Sequence, residues 1–279
     1  MMGTVRINGE PACQINLLDR GFQYGDGVFT TLHLHNGVPL FLEQHLERLH
    51  RDCSRLGIPP VESGILRREV QAILGDELEG VIKIQITRGV GGRGYRVPET
   101  VNPTTVIALH PPPGYPDHYA TEGIEVRYCR TRLGINPVLA GIKHMNRLEQ
   151  VLARSEWSDD QIAEGLMLDL EDRLVEGSMS NIFLVKHDRL LTPKLDRCGV
   201  SGVMRSVLLG ASQSLGLSVD ECSLTVRDLE NADEAFVTNS VIGIWPIAGV
   251  EGKSFPVGPV TRKLREWLNQ AIKQQIQGN

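Results

Sequence analysis

LAGIKHMNRLEQ, residues Leu139 to Gln150, places one lysine, Lys143, between a glycine-containing approach and a periodic run. From Met145 onward the apolar residues Met145, Leu148, Val151 and Leu152 recur at helical spacing. The pattern predicts a helix near 145–157, with Lys143 at or just before its start and its side chain aimed away from the packed stripe. A lysine near a helix start is ordinarily a solvated charge. The rest of the chain decides whether this one is.

Outward from this segment, the clearest break is PPPGYPD, Pro111 to Asp117, where proline and glycine stop both helices and central strands. We expect a small domain at 1–110, a linker at 111–120 and a larger domain at 121–279. Before the linker, Val81 to Thr87 (VIKIQIT) and Thr104 to Leu109 (TTVIAL) read as strands, while Leu42, Leu46, Leu49, Cys53 and Leu56 mark an amphipathic helix. After it, Ile124 to Tyr128, Gly165 to Leu170, Ile182 to Val185 and Glu234 to Val237 read as strands, among helices near 145–157, 203–215 and 260–276. The pattern is two-domain α/β or α+β, with no internal repeat and no low-complexity segment.

Composition bounds the function. With 279 residues, 41% hydrophobic and 23% charged, the chain buries one large or two medium cores. Its net charge of -5 and lack of a dense Lys/Arg block argue against a nucleic-acid partner. The opening MMGTVRINGE lacks the apolar core of a signal peptide, and no stretch has the roughly 18 apolar residues of a membrane span. A cytoplasmic location is expected. The five cysteines, Cys13, Cys53, Cys129, Cys198 and Cys222, are scattered without metal-like spacing, so reduced and mostly buried thiols are the default. His33 and His35 share one face of a probable strand but lack further ligands in the sequence, so we read them as structural or pocket-lining and expect no metal site.

Two further segments offer sites. In SGVMRSVLLGASQSLGL, Gly202 precedes a helix whose apolar positions are Val203, Val207, Leu208, Ala211 and Leu215, leaving the N–H groups of Val203 and Met204 at a positive helix end that suits an anion. Arg48 flanks its helix's apolar stripe, as a residue reaching into a cleft does; a solvated arginine is the alternative. In GVGGRGY, Gly89 to Tyr95, the glycines do not form a GxGxxG fingerprint at a strand-to-helix junction.

Several segments together carry a resemblance: FQYGDGVFTTLHLHNGVPLFLEQHLERL (Phe22 to Leu49), TRGVGGRGY (Thr87 to Tyr95), the lysine segment, LVEGSMSNIFLV (Leu174 to Val185) and GVSGVMR (Gly199 to Arg205). In this order they resemble the class IV family of pyridoxal-phosphate enzymes over nearly the whole length, and within it the aminodeoxychorismate lyase branch rather than the branched-chain or D-amino-acid aminotransferases. The resemblance implies fold type IV: a smaller N-terminal α/β domain and a larger cofactor-binding domain with a mixed, barrel-like sheet. It implies pyridoxal 5'-phosphate as cofactor and a homodimer as the working form.

Site roles follow from the same resemblance. Lys143 matches the lysine that carries the cofactor and moves protons, and Glu176 in VEGSMSN matches the acid that keeps the pyridine nitrogen protonated. Arg48, Ser240 in VTNSVIG and the helix start Gly202, Val203 and Met204 match the phosphate cradle. Branched-chain members carry a tyrosine shortly after the lysine; this chain has Asn146 and Arg147 there, which fits the lyase pattern and leaves the partner of the ring hydroxyl open. The lyase substrate, 4-amino-4-deoxychorismate, has two carboxylates, for which a guanidinium is the natural clamp. Arg93 is the candidate, with Tyr95 as a wall and Thr31 and Tyr24 as lesser pocket residues; a flexible hairpin tip is the alternative for the Arg93 segment. The expected reaction gives 4-aminobenzoate and pyruvate, in folate biosynthesis. A class IV aminotransferase and a non-catalytic ligand-binding protein on the same scaffold are the competing readings.

Overall fold

The computed structural model describes residues 4–278. It divides into two compact units: the first holds the residues through Gly114, Ile142–Asn146 and those from Gln275 on, the second Tyr115–Gly141 and Arg147–Gln274.

In the first unit the elements are β1 (Val5–Ile7), β2 (Glu10–Pro11), α1 (Arg20–Tyr24), β3 (Gly27–His35), β4 (Val38–Pro39), α2 (Leu42–Leu56), α3 (Ser63–Leu74), β5 (Glu79–Thr87) and β6 (Thr104–His110). The strands form one sheet in the order β2-β1-β6-β5-β3-β4, antiparallel at every pairing. Strict alternation decides its two faces. Val28, Thr30, Leu32 and Leu34 of β3 are buried, and Leu32 and Leu34 pack with Ile82, Ile84, Ile86 and Ile107 against Leu46, Leu49 and Cys53 of α2 and Leu66, Val70 and Ile73 of α3. Phe29, Thr31, His33 and His35 point to the other face and stay partly exposed. Helix α2 ends where Gly57 takes φ 63, a left-handed cap whose N–H bonds back to Cys53 and Ser54 carbonyls.

The lysine segment runs along the edge of β3. Phe29 N–H donates to the Lys143 carbonyl at 3.0 Å, Met145 N–H donates to the Gly27 carbonyl at 2.9 Å, and Val28 bridges His144 in antiparallel register. These bonds explain why Ile142–Asn146 belong with the first unit although they lie far along the chain.

The second unit contains α4 (His118–Thr121), β7 (Ile124–Tyr128), α5 (Leu148–Arg154), β8 (Ile162–Leu168), β9 (Arg173–Gly177), β10 (Asn181–Lys186), β11 (Arg189–Pro193), α6 (Val203–Ser214), β12 (Val219–Cys222), β13 (Leu224–Thr225), α7 (Val226–Glu230), β14 (Glu234–Asn239), β15 (Gly243–Val250), β16 (Lys253–Ser254) and α8 (Pro259–Gln277). Its sheet follows β12-β11-β10-β14-β15-β7-β8-β9-β13, and a further pairing of β10 with β9 closes β10, β14, β15, β7, β8 and β9 into a ring. The ring is mixed: β7 runs parallel to both β15 and β8, and the other pairs are antiparallel. It closes at Asn181 opposite Glu176. Leu166, Leu174, Ile182, Leu184, Val237, Trp245 and Ile247 belong to its packed core. The expected mixed, barrel-like sheet is present.

Helix α5 departs from expectation. It spans only Leu148–Arg154, and Leu148, Val151 and Leu152 are 75%, 61% and 57% exposed, so the periodic run is not a packed stripe. Only Ala153 of this helix is buried. Lys143 therefore precedes the helix by five residues on extended backbone instead of standing at its start. The reason is that strand-edge hydrogen bonds, which leave no periodic signature, hold this stretch. Among the described residues no helix is long and apolar enough to cross a membrane. Cys53, Cys129 and Cys198 are buried, Cys13 is exposed and Cys222 is intermediate.

Candidate active site

In the first unit the chemistry gathers where α2 faces β3. Helix α2 turns His45, Arg48 and Asp52 onto its buried side beside Leu46, Leu49 and Cys53, because positions three and four apart share a face. Arg48 is 5% exposed and donates through Nη2 to Thr30 Oγ1. With that oxygen accepting from the guanidinium, the Thr30 hydroxyl proton faces His45 Nδ1, 2.5 Å away, which leaves the ring proton on Nε2. Burial, then the charges of Arg48 and Lys143, hold the His45 imidazolium well below its ordinary pKa, so the ring is neutral. Burial also lowers Arg48 to about 10 against the favourable charge of Asp52, and the guanidinium stays charged at neutral pH.

Lys143 is fixed at its backbone and reaches the same neighbourhood. Its N–H donates to Asp52 Oδ2 at 3.0 Å, and Asp52 Oδ1 accepts from Nε and Nη2 of Arg51. Its Nζ stands 4.5 Å from the centroid of the Phe29 ring, and Lys83 Nζ lies 5.2 Å from the same ring. Two donors remain unspent: Arg48 Nε and His45 Nε2 are buried and have no hydrogen-bond partner among the described residues. A cationic cluster with buried, unpaired N–H groups is suited to an anion.

The second unit carries an independent set. Glu176 is 3% exposed, and its Oε2 accepts from Val200 N–H at 2.8 Å. Its cross-strand neighbour Asn181 donates to the Val200 carbonyl at 2.8 Å, while Ser201 N–H bonds to Gly141 O and Gly141 N–H to Gly199 O. These bonds deliver the chain to Gly202, the N-cap of α6, which has no side-chain cap. A Cβ at 202 would run into Asn181 Oδ1, so any larger residue must displace that amide. Val203 and Met204 follow, buried at 4% and 2%, and their N–H groups lie in the first turn, where no intrahelical acceptor exists. Burial lowers the Arg147 pKa while Glu176 and Glu149 oppose it, so Arg147 lies in the field of Glu176.

A buried carboxylate shapes the turn between β9 and β10. Glu164, 1% exposed, accepts from Ser178 N–H at 3.0 Å, Ser178 Oγ at 2.6 Å, Met179 N–H at 3.3 Å and Ser180 Oγ at 2.6 Å. Ser240 is half-buried in the turn after β14, where Asn239 accepts from the N–H groups of Val241 and Ile242 and donates to the Met179 carbonyl at 3.1 Å.

Of the substrate candidates, Thr31 lies on the open sheet face, opposite to Thr30 and hence to the face that holds Arg48. Tyr24 is half-buried and its hydroxyl accepts from Gly94 N–H at 3.1 Å. Arg93 is exposed, and Tyr95 is 85% exposed while still meeting Tyr24 edge-on at 5.4 Å. The glycine-rich loop is tethered: Arg20 donates to the carbonyls of Gly94, Tyr95 and Arg96, and Asp26 joins Arg20 to Arg88.

Sequence reading singled out Lys143, Arg48, Glu176 and the α6 start, but missed Thr30, His45, Asp52, Glu164 and Asn181. For His45 and Asp52 a signal existed: with Arg48 they interrupt the apolar face of α2 at helical spacing, which surface residues have no reason to do.

The family model described as amino-transferase class IV matches residues 27–250. An aminodeoxychorismate lyase of Vibrio harveyi is 40% identical over 94% of this chain and 98% of its own length. A putative branched-chain-amino-acid aminotransferase of Methanocaldococcus jannaschii is 30% identical over 94% of each. Among solved structures, 4-amino-4-deoxychorismate lyase from Pseudomonas aeruginosa superposes with a TM-score of 0.92 at 45% identity, covering 95% of this chain and 98% of that one.

Proposed function

Since the chain belongs to the class IV aminotransferase family, we propose that it is a pyridoxal-phosphate-dependent lyase that converts 4-amino-4-deoxychorismate into 4-aminobenzoate and pyruvate. What carries this reading is full-length identity of 40% and 45% to two lyases of that name, against 30% to an aminotransferase relative.

The residues fit the cofactor. In the first unit the buried unpaired N–H groups of Arg48 and His45 are donors for an anion; in the second, the uncapped first turn of α6 offers donors for a phosphate dianion, with Ser240 as a further hydroxyl. Glu176 is a buried carboxylate able to keep a proton at a pyridine nitrogen. When bound, the cofactor supplies an electron sink for charge developing at the carbon that bears the substrate amine.

Lys143 is the proposed covalent anchor and proton carrier. Once displaced by the substrate amine, its Nζ takes the proton from the amine-bearing ring carbon. The bond from the adjacent carbon to the enolpyruvyl oxygen then breaks, the ring becomes aromatic, and Lys143 returns a proton to the departing group, which becomes pyruvate. The residues of 1–110 would select the substrate, with Arg93 pairing a carboxylate and Tyr24 and Thr31 lining the ring; residues 121–279 would hold most of the cofactor, joined through 111–120. A homodimer working in folate synthesis in the cytoplasm belongs to the same reading.

The test is incubation of purified protein with 4-amino-4-deoxychorismate alone. Equal yields of pyruvate and 4-aminobenzoate are expected. A strict need for a 2-oxo acid would instead assign an aminotransferase.

A further inference from the structure

The open face of the first unit's sheet carries a cluster that the lyase chemistry does not use. Strand β3 places His33 and His35 two residues apart, on one face. In the β3–β5 register Glu79 stands directly opposite His35, so its carboxylate enters the same face. The sequence alone could not supply this third ligand, because Glu79 lies 44 residues from His35. His35 Nδ1 is 3.0 Å from Glu79 Oε1, His33 Nε2 is 3.9 Å from Glu79 Oε2, and one ligand atom from each of the three residues lies within 4.8 Å of the others.

We propose that His33, His35 and Glu79 bind one divalent transition-metal ion of the zinc class, with water completing the coordination. Bonds of about 2.0–2.1 Å to a tetrahedral centre put ligand atoms roughly 3.4 Å apart, so the present spacing needs only small side-chain rotations. Two imidazoles with one carboxylate favour zinc, copper, nickel or cobalt over magnesium or calcium, which prefer all-oxygen shells.

The side chains are 26%, 38% and 43% exposed, so an ion can reach them from solvent. Asn36 supports the arrangement from behind, its backbone N–H donating to Glu79 Oε1 at 3.1 Å and so orienting the carboxylate. The His33 ring has no hydrogen bond among the described residues, and a metal would give its Nε2 a partner that the 3.9 Å gap to Glu79 does not.

The test uses tag-free holoenzyme freed of metal by a chelator, titrated with Zn2+ by calorimetry and with Co2+ by visible absorption. One ion per chain is expected, with the absorption bands of a four-coordinate Co2+ centre. His33→Gln and Glu79→Gln, both at partly exposed positions, should each raise the dissociation constant at least about tenfold. Absence of binding, or binding that both variants leave unchanged, overturns the proposal. The outcome is independent of the lyase assay.

Discussion

Asp52 Oδ2 receives the backbone N–H of Lys143 at 3.0 Å across 91 residues of sequence. One helix thus fixes where the lysine leaves the chain while its neighbour Arg48, one turn earlier, is held in the same buried face. Asp52→Ala would leave that N–H and the Arg51 guanidinium without their acceptor. We expect a loss of about 1–3 kcal/mol in denaturant-unfolding stability, with a lowered kcat. Asp52→Asn keeps an acceptor and should retain more of both. Equal behaviour of the two variants would show that the carboxylate does not position Lys143.

Lys143→Ala removes the proposed covalent anchor and proton carrier. The purified variant should be colourless and without turnover, and borohydride reduction of the parent should label residue 143 in a peptide map. A yellow, active variant would end the assignment.

Arg93 is exposed on a loop whose carbonyls are gripped by Arg20. Arg93→Ala should raise KM about tenfold or more with cofactor absorbance intact, since a charge-assisted pair contributes about 1.5–3 kcal/mol. An unchanged KM would remove Arg93 from substrate binding.

Gly202→Ala sets a methyl group against Asn181 Oδ1 at the uncapped start of α6. The displaced turn should weaken cofactor retention, read as a higher dissociation constant for pyridoxal phosphate, and cost about 1–3 kcal/mol of stability through overpacking. Parent-like retention would mean that α6 does not hold the phosphate.

Asp26 bridges Arg20 and Arg88, with bonds of 2.8 and 2.7 Å to its Oδ2. Burial pushes its pKa up, but the two guanidinium groups outweigh burial and hold it below the ordinary carboxylate value of about 3.9. A folded-state pKa below the unfolded one gives stability that is present above pH 4 and is lost as pH falls through the folded value. Asp26→Asn should therefore be less stable at pH 7, by about 3 kcal/mol, and show a shallower loss on acidification. Parallel pH–stability curves for the two proteins would refute this role.

Local patterns were legible where burial is periodic. The alternation of β3 and β5 and the stripe of α2 predicted their elements, and the glycine before Val203 marked the start of α6. Lys143 was legible as a residue, but its setting was not. An extended strand-edge segment has no period of its own, and the exposed Leu148, Val151 and Leu152 imitate a packed helix. Partners joined across long separations, such as Asp52 with Lys143 or Glu79 with His35, depend on register, which composition does not encode.

The closure of the second unit's ring at Glu176 and Asn181 has an evolutionary and experimental corollary. The rung itself is backbone, but the side chain that rises from it also receives the Val200 N–H, so truncating it confounds two losses, one electronic and one architectural. The isosteric change to glutamine separates them, keeping an acceptor for Val200 while discarding the charge. Descendants of this scaffold that abandon the chemistry would be expected to retain a polar, amide-like residue at position 176 instead of an aliphatic one.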